Sequence, residues 1–194
     1  RGNVVLIPHM RQPFWDRGHP GDLDILRSGT YNLGFIGLRR SQEVDRLLAW
    51  WMSNLAVDCV VDIANGLFVD QKWIDLVPGF CPTTQIVRHP GYNVAYWNLH
   101  ERTLAERDGG FTVDGEPLVF FHYSGYSPLV PTRLSKHQNR HDIRYNSALK
   151  NLCDQYAEKL LAENFLSVSA LNYSFEVLPN GTRVPLSITR MLFQ

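Results

Sequence analysis

The chain carries no block of like charge. Its 19 lysines and arginines balance 19 acidic residues over 194 positions, and no segment gathers five or six charges of one sign. The electrostatic footprint that draws nucleic acid or anionic lipid is therefore missing. Long apolar runs are missing too: Val4 to Ile7 and Pro117 to Phe121 fall far short of the roughly 20 residues a membrane helix needs. No basic segment followed by an apolar one opens the chain as a secretory signal would. Cysteine is sparse, with only Cys59, Cys81 and Cys153 and no Cys-x-x-Cys pair. That spacing excludes a disulfide framework or a cysteine zinc site and fits a reducing, cytoplasmic setting. Gly-x-Ser-x-Gly, His-Glu-x-x-His, internal repeats and low-complexity stretches are all absent, which removes the common hydrolase and solenoid readings.

What is present is a hydrophobic content of 44% with 12% aromatic residues, enough for one substantial core. Val4 to Ile7, closed by Pro8, reads as a buried strand. Pro8 to Gly21 reads as loop, followed by a short turn from Asp22 that Gly29 stops. Thr30 to Arg39 is apolar with glycines at 34 and 37; in a strand such glycines mark close approach of another backbone or of a ligand. Ser41 caps the clearest helix, with Val44, Leu47, Leu48, Trp51 and Leu55 at three-and-four spacing. A second helix is predicted from Phe68 to Val77, with Phe68 or Val69, Trp73 and Leu76 inward, Asp70, Gln71 and Asp75 off that face, and Pro78-Gly79 ending it.

Gln85 to His89 reads as a strand, and Phe111 to Val113, Asp114-Gly115 and Pro117 to Tyr123 as a hairpin. Ser147 to Leu161 is an amphipathic helix, and Tyr173 to Leu186 reads as a second hairpin about Asn180-Gly181. The polar segment from Thr132 to Asn146 is the internal seam. The reading is an α/β unit over residues 1–131 and a small appended α+β tail over 132–194 that packs on it. The chain starts at Arg1 and enters directly on a strand, as a piece of a longer polypeptide would.

Four stretches set polar and small residues in apolar surroundings: Tyr31-Asn32-Leu33-Gly34, Val69-Asp70-Gln71-Lys72-Trp73, Tyr92-Asn93-Val94-Ala95-Tyr96-Trp97-Asn98 and Phe120-Phe121-His122-Tyr123-Ser124-Gly125. A buried amide or carboxylate costs about 1 to 3 kcal/mol unless satisfied, so such groups either cap backbone or face a ligand.

The order Tyr-Asn-Leu-Gly, Asp-Gln, Trp-Asn, His-Tyr-Ser-Gly resembles the second half of GT-A-type glycosyltransferases, above all the retaining family 8 kind. A resemblance covering most of the chain is to bacterial glycosyltransferase-like domains. It implies a GT-A-like partial domain with a mixed sheet flanked by helices. The implied reaction moves a sugar from a nucleotide diphosphate to a glycan or lipid-linked acceptor, as in cell-envelope polysaccharide assembly, with divalent Mn or Mg.

Position by position, the resemblance implies that Asn32 and Gly34 lie beside the donor sugar. Asp70 and Gln71 would stand nearest the reacting anomeric carbon and the acceptor. His122 would bind the metal with an upstream Asp-x-Asp, and Ser124-Gly125 would let the loop approach the phosphates. Aromatic faces such as Tyr92, Tyr96 and Trp97, with Asn93 and Asn98 beside them, suit a sugar ring. A hard cation held by carboxylates and an imidazole neutralises the leaving diphosphate, and a carboxylate opposite it stabilises oxocarbenium-like charge.

Each residue also has an ordinary structural reading: Asp70 at its helix end, His122 as a satisfied core histidine, Trp97 as core, Asn32 tying down its own turn. Two departures matter. Gly125 is followed by Tyr126-Ser127-Pro128 instead of Lys-Pro-Trp, and the local Asp-x-Asp, Asp22-Leu23-Asp24, opens a helical turn where it reads as a cap. The resemblance therefore puts the nucleotide-binding half before Arg1. These departures also keep open a non-catalytic sugar-binding or scaffolding module of the same fold.

Overall fold

The computed structural model describes residues 2–107, 109–171, 177–178 and 180–183. In chain order the elements are β1 (Val4–Leu6), α1 (Asp22–Ser28), β2 (Gly37–Leu38), α2 (Gln42–Asp58), β3 (Val61–Asp62), β4 (Leu67–Phe68), a 3₁₀ turn Lys72–Leu76 running into α3 (Val77–Phe80), β5 (Thr84–Ile86), β6 (Leu104–Arg107), β7 (Gly110–Val113), β8 (Glu116–Pro117), α4 (Ser147–Ala162) and α5 (Phe165–Ser169). The architecture is mixed α/β with small sheets.

β1 is the centre of a three-stranded mixed sheet, antiparallel to β2 and parallel to β5, with Val4 opposite Leu38 and Thr84. Val4 and Leu6 point to the buried face, as period-two alternation requires. The Ser41 hydroxyl accepts from Val44 N at 3.3 Å and starts α2. Val44 and Leu47 of α2 then close over β1 together with Tyr31, Ile74, Val77 and Cys81.

The helix expected over Phe68 to Val77 is corrected in three respects. Phe68 belongs to β4, paired with Val61. Helical structure begins only at Lys72. Pro78 and Gly79 lie inside α3, where a first-turn proline loses no helical hydrogen bond. The cause is Val69, whose φ of 42° and N–H to the Val60 carbonyl (2.9 Å) interrupt any helix between Phe68 and Asp70. With three residues per turn, the buried side becomes Gln71, Ile74 and Val77, while Leu76 is exposed.

The Asp114-Gly115 hairpin forms as expected, both residues having the positive φ its two-residue turn requires. β6, which the sequence reading lacks, adds to it as an outer strand. Beyond β8 the expected strand does not continue; residues 118–122 run beside 91–94 instead. Val119 N and Phe120 N both donate to the Gly91 carbonyl (2.8 and 3.2 Å), and His122 N donates to the Val94 carbonyl at 2.8 Å. Of the second hairpin, a bridge between Val177 and Arg183 and a turn at Gly181 are seen; its other residues lie outside the described ones.

A second core joins Val94, Leu104, Val113, Leu134, Ile143, Leu149, Leu152 and Cys153, so apolar packing runs continuously across residue 131. Tyr123 stacks on Tyr156 with centroids 3.8 Å apart. The seam from Thr132 to Asn146 is held by Arg140. Its guanidinium grips Asp16 in two places, donates to the Pro20 carbonyl (3.0 Å) and lies 4.3 Å over the Phe14 ring. That pairing holds the Asp16 carboxyl well below the usual range. Because Asp16 is half exposed, solvent screens much of the ion pair. Arg140→Ala is expected to cost about 1 kcal/mol, mostly through lost ring contact and backbone hydrogen bonding. It should also speed amide exchange over residues 14–20, read by mass spectrometry, without affecting exchange in α2.

Candidate functional site

A cleft of about 660 Å³ opens beyond the carboxyl end of β1. One wall is the end of α1, with Asp24, Ile25, Arg27 and Ser28; Ile63 and Phe68 extend it. The other is Tyr96, Trp97, Ser124 and His137. His9, Asn32, Gln71 and His122 form the floor between them. Of the residues singled out in the sequence, Asn32, Gln71, Trp97, His122 and Ser124 thus meet in one cavity although they come from four separate stretches of chain.

The floor is an ordered amide–imidazole network. Gly34 N–H can only donate, so the Asn32 atom 2.9 Å from it is the oxygen. The same oxygen stands 3.2 Å from His122 Nδ1. The Asn32 NH₂ then faces His9 Nε2 at 3.2 Å and donates to Gln71 Oε1 at 3.2 Å. Gln71 Oε1 also accepts from Leu33 N (3.0 Å), and its own NH₂ donates to the Ser28 carbonyl (2.8 Å). Both polar ends of Gln71 are thereby engaged in holding the loop around Asn32. It lines the cavity while it positions that loop.

Gly34 explains itself in this geometry. A Cβ there would stand 2.6 Å from His122 Nδ1 and 2.7 Å from Asn32 Oδ1, so only glycine lets the imidazole reach the amide. The close approach that Gly125 permits, at φ 72°, is to Ser135 and His137, each 2.6 Å from a would-be Cβ.

Other expected members stand apart from the cavity. Asp70 does not line it; its carbonyl accepts from Trp51 Nε1 at 3.2 Å. Tyr92 packs edge-on to His89 and Phe120, and its carbonyl accepts from Arg102 at 2.7 Å. Asn98 is wholly buried and brackets its own turn, accepting from Ala95 N and donating to the carbonyls of His9 and Asn93, each at 2.9 Å. Asn93 is wholly buried with φ 52° and no side-chain partner among the described residues. Asp22-Leu23-Asp24 does cap α1, with Asp24 accepting from Gly21 N at 2.8 Å.

Burial sets the charge of the floor. Desolvation pushes His9 down to about 4 against the pull of the Thr30 and Gly29 carbonyls, and it also lowers His122. His137 is lowered by burial and by Lys136, and burial raises the Tyr96 hydroxyl. At neutral pH the floor histidines are uncharged, and the charges on the wall, Asp24 and Arg27, stand 3.9 Å apart. Such a cavity, apolar on its sides with a few convergent polar groups, suits an uncharged polar ligand. His9 and His137 were not singled out in the sequence. The one available signal for His9 is its place just past the end of β1, where α/β clefts open.

Val69 is the strained member of the surroundings. A β-branched residue in left-handed geometry costs about 1 to 2 kcal/mol, and here it sets the turn that delivers Gln71. Val69→Asn, which tolerates that geometry, is expected to raise stability by up to about 1 kcal/mol in urea denaturation; a destabilised variant would show that Val69 packing outweighs the strain.

No family model matches the chain, and no solved structure matches it. Two bacterial relatives do. The uncharacterized protein YfnF of Bacillus subtilis (strain 168) is 33% identical over 129 residues, covering 65% of this chain and 40% of the relative. The uncharacterized protein YfnD of the same organism is 28% identical over 103 residues, covering 52% of this chain and 33% of the relative. The chain therefore spans well under half the length of the curated relatives it matches. Among the described residues no helix is long and apolar enough to cross a membrane, and no group of three or more His, Cys, Asp or Glu is placed to hold a metal ion.

Proposed function

We propose that the cleft binds a sugar and that the chain is the acceptor-side portion of a GT-A-like glycosyltransferase, moving a hexose from a nucleotide diphosphate to a glycan or lipid-linked acceptor in a bacterial cell. The observation that carries this reading is the convergence of Asn32, Gln71, Trp97 and His122 on one cavity of about 660 Å³. Three of the four resembling motifs supply its floor, and the Tyr96-Trp97 pair supplies an aromatic wall. A monosaccharide ring presents an apolar face to such a wall and hydroxyls to amide and imidazole groups.

In this reading the side chains act as follows. Trp97 and Tyr96, whose rings meet edge-on at 4.9 Å, exclude water from one face of the ring. His122 Nε2, the nitrogen not turned toward Asn32, meets the ligand, and Ser124 stands beside it on the wall. The expected divalent metal does not fit these residues alone. His122 offers one lone pair, and the described residues bring no second and third ligand to it. No step is derived through a metal here. Asp70, being off the wall, takes no part in this cleft's contacts.

Calorimetric titration of the protein with UDP-, GDP- and dTDP-hexoses, with and without Mn²⁺, tests the reading. Heat with at least one donor is expected with or without Mn²⁺, and it should weaken at least tenfold in His122→Ala and stay unchanged in Asp70→Ala. No heat with any donor would overturn it. A second reading, a non-catalytic sugar-binding module, is favoured by the placement of Asp70 away from the cavity. It predicts the same heat of binding and no release of nucleoside diphosphate.

A further inference from the structure

Resting on the reading of the cleft as a sugar site, we infer that Asn32 is a positioning residue that locks His122 as its Nδ1–H tautomer, so that Nε2 meets a hydroxyl of an uncharged ligand as a hydrogen-bond acceptor.

The inference follows from a chain of donors and acceptors that has one solution. Gly34 N–H fixes which end of the Asn32 amide is oxygen, at 2.9 Å. That oxygen is an acceptor with no hydrogen, so the His122 nitrogen 3.2 Å away must carry one. Nδ1 is therefore the protonated nitrogen of the neutral ring, and Nε2 is left with a lone pair. At the other end of the amide the logic inverts. The Asn32 NH₂ has two hydrogens, one donated to Gln71 Oε1 and the other directed at His9 Nε2, both at 3.2 Å. His9 Nε2 must then be the acceptor. Swapping the amide ends would set an NH₂ against the Gly34 N–H and an oxygen against Gln71 Oε1, two repulsive pairs at once. Gln71, pinned by Leu33 N and the Ser28 carbonyl, cannot turn to relieve them.

The polarity of Nε2 selects the ligand class. His122 lines the cavity and its Nδ1 is taken by Asn32, so the lone pair it can present to a ligand is that of Nε2, which accepts from a hydroxyl and repels an anionic phosphate oxygen. The remaining charge on the wall is a mutually close acid and base, Asp24 and Arg27, which leaves no surplus cation to hold an anion. Ser124 and Tyr96 line the same cavity and offer hydroxyls for further contacts. An uncharged polyol such as a hexose ring fits that set; a free phosphate does not.

The test is long-range ¹H–¹⁵N correlation NMR at neutral pH on the ¹⁵N-labelled protein, with the His122 signals assigned by their loss in His122→Gln. Pyrrole-type Nδ1 and pyridine-type Nε2 are expected for His122 in the unmodified protein. An Nε2–H pattern there would overturn the lock without any variant having to fold. In Asn32→Ala the pattern is expected to move toward the Nε2–H tautomer, whereas a purely structural asparagine would leave it in place. Titration of the unmodified protein with glucose, galactose and mannose is then expected to shift the His122 Nε2 resonance, and inorganic phosphate is not. A shift with phosphate alone, or with none of these, would overturn the hydroxyl assignment. The tautomer is read on the free protein, so it can hold even if nucleotide sugars give no heat; the two failures are separable.

Discussion

Gly91→Ala is expected to cost the protein about 3 kcal/mol or more and to pull His122 out of the cleft. A Cβ at Gly91 would stand 2.0 Å from the Pro117 carbonyl oxygen and 3.3 Å from Val119 N. Both are backbone atoms, so no side-chain rotation relieves the overlap and the two segments must part. Parting them breaks the bonds from Val119 N and Phe120 N to the Gly91 carbonyl, at 2.8 and 3.2 Å. Overpacking alone costs about 1 to 3 kcal/mol, and each hydrogen bond lost adds about 1.

The functional consequence comes from register. The Val94 carbonyl, three residues on, receives His122 N at 2.8 Å, and Val94 N donates to Phe120 at 3.2 Å. Displacing 91–94 from 118–122 therefore moves the imidazole relative to Asn32, which sits on a different part of the chain. Urea denaturation should show the stability loss, and the His122 resonance should lose its Nδ1–H signature even in the folded fraction. Gly79→Ala is the matched control: nothing lies within 4 Å of its Cβ position, and inside α3 alanine is expected to add up to about 1 kcal/mol. Wild-type stability in Gly91→Ala would show that the two segments are not locked together.

The parts of this protein that could be read from the sequence are those set by neighbours in the chain. Ser41 beside a three-and-four apolar pattern gives α2, and Asp114-Gly115 between apolar runs gives a hairpin turn. The turn around Asn180-Gly181 follows the same logic. The stretch from Phe68 to Val77 fails that test because its conformation is imposed from a distance: the Val60 carbonyl claims Val69 N, and the helical period changes from 3.6 to 3. The site divides along the same line. Asn32, Gln71 and His122 were visible as amides and imidazole in apolar surroundings, and the structure joins them. Asn93 and Asn98 carried the same signal, but Asn98 is consumed by backbone at Ala95, Asn93 and His9, and Asn93 is buried without a side-chain partner among the described residues. Polarity in an apolar stretch marks an unsatisfied group; it does not say whether backbone or a ligand will satisfy it. His9 offered only its place just past the end of β1 as a signal, and its role exists only once Asn32 is brought against it.

His9 is also where acid should act first. Its Nε2 accepts from the Asn32 NH₂, and burial lowers it from 6.5 in the unfolded chain to about 4 in the fold. Between those limits the unfolded chain binds a proton that the folded protein refuses. Stability is therefore fully present above pH 6.5 and falls as pH drops toward 4, by about 3 kcal/mol at roughly 1.4 kcal/mol per tenfold change in proton affinity. Once His9 is protonated, an N–H confronts the Asn32 NH₂, so the amide must turn or withdraw and His122 loses its partner. The acid transition should thus open the cleft floor along with weakening the fold. His141, also lowered to about 4 by burial, contributes in the same direction, so the share of His9 is isolated by substitution. His9→Gln keeps an acceptor oxygen toward Asn32 but cannot titrate. Its stability, measured by urea denaturation from pH 7.5 to 4, is expected to fall less steeply than that of the unmodified protein, by about one proton's slope over the interval. Equal slopes would mean that His9 takes up its proton as readily in the folded protein as in the unfolded chain, and the burial of this imidazole would then not be what sets its charge.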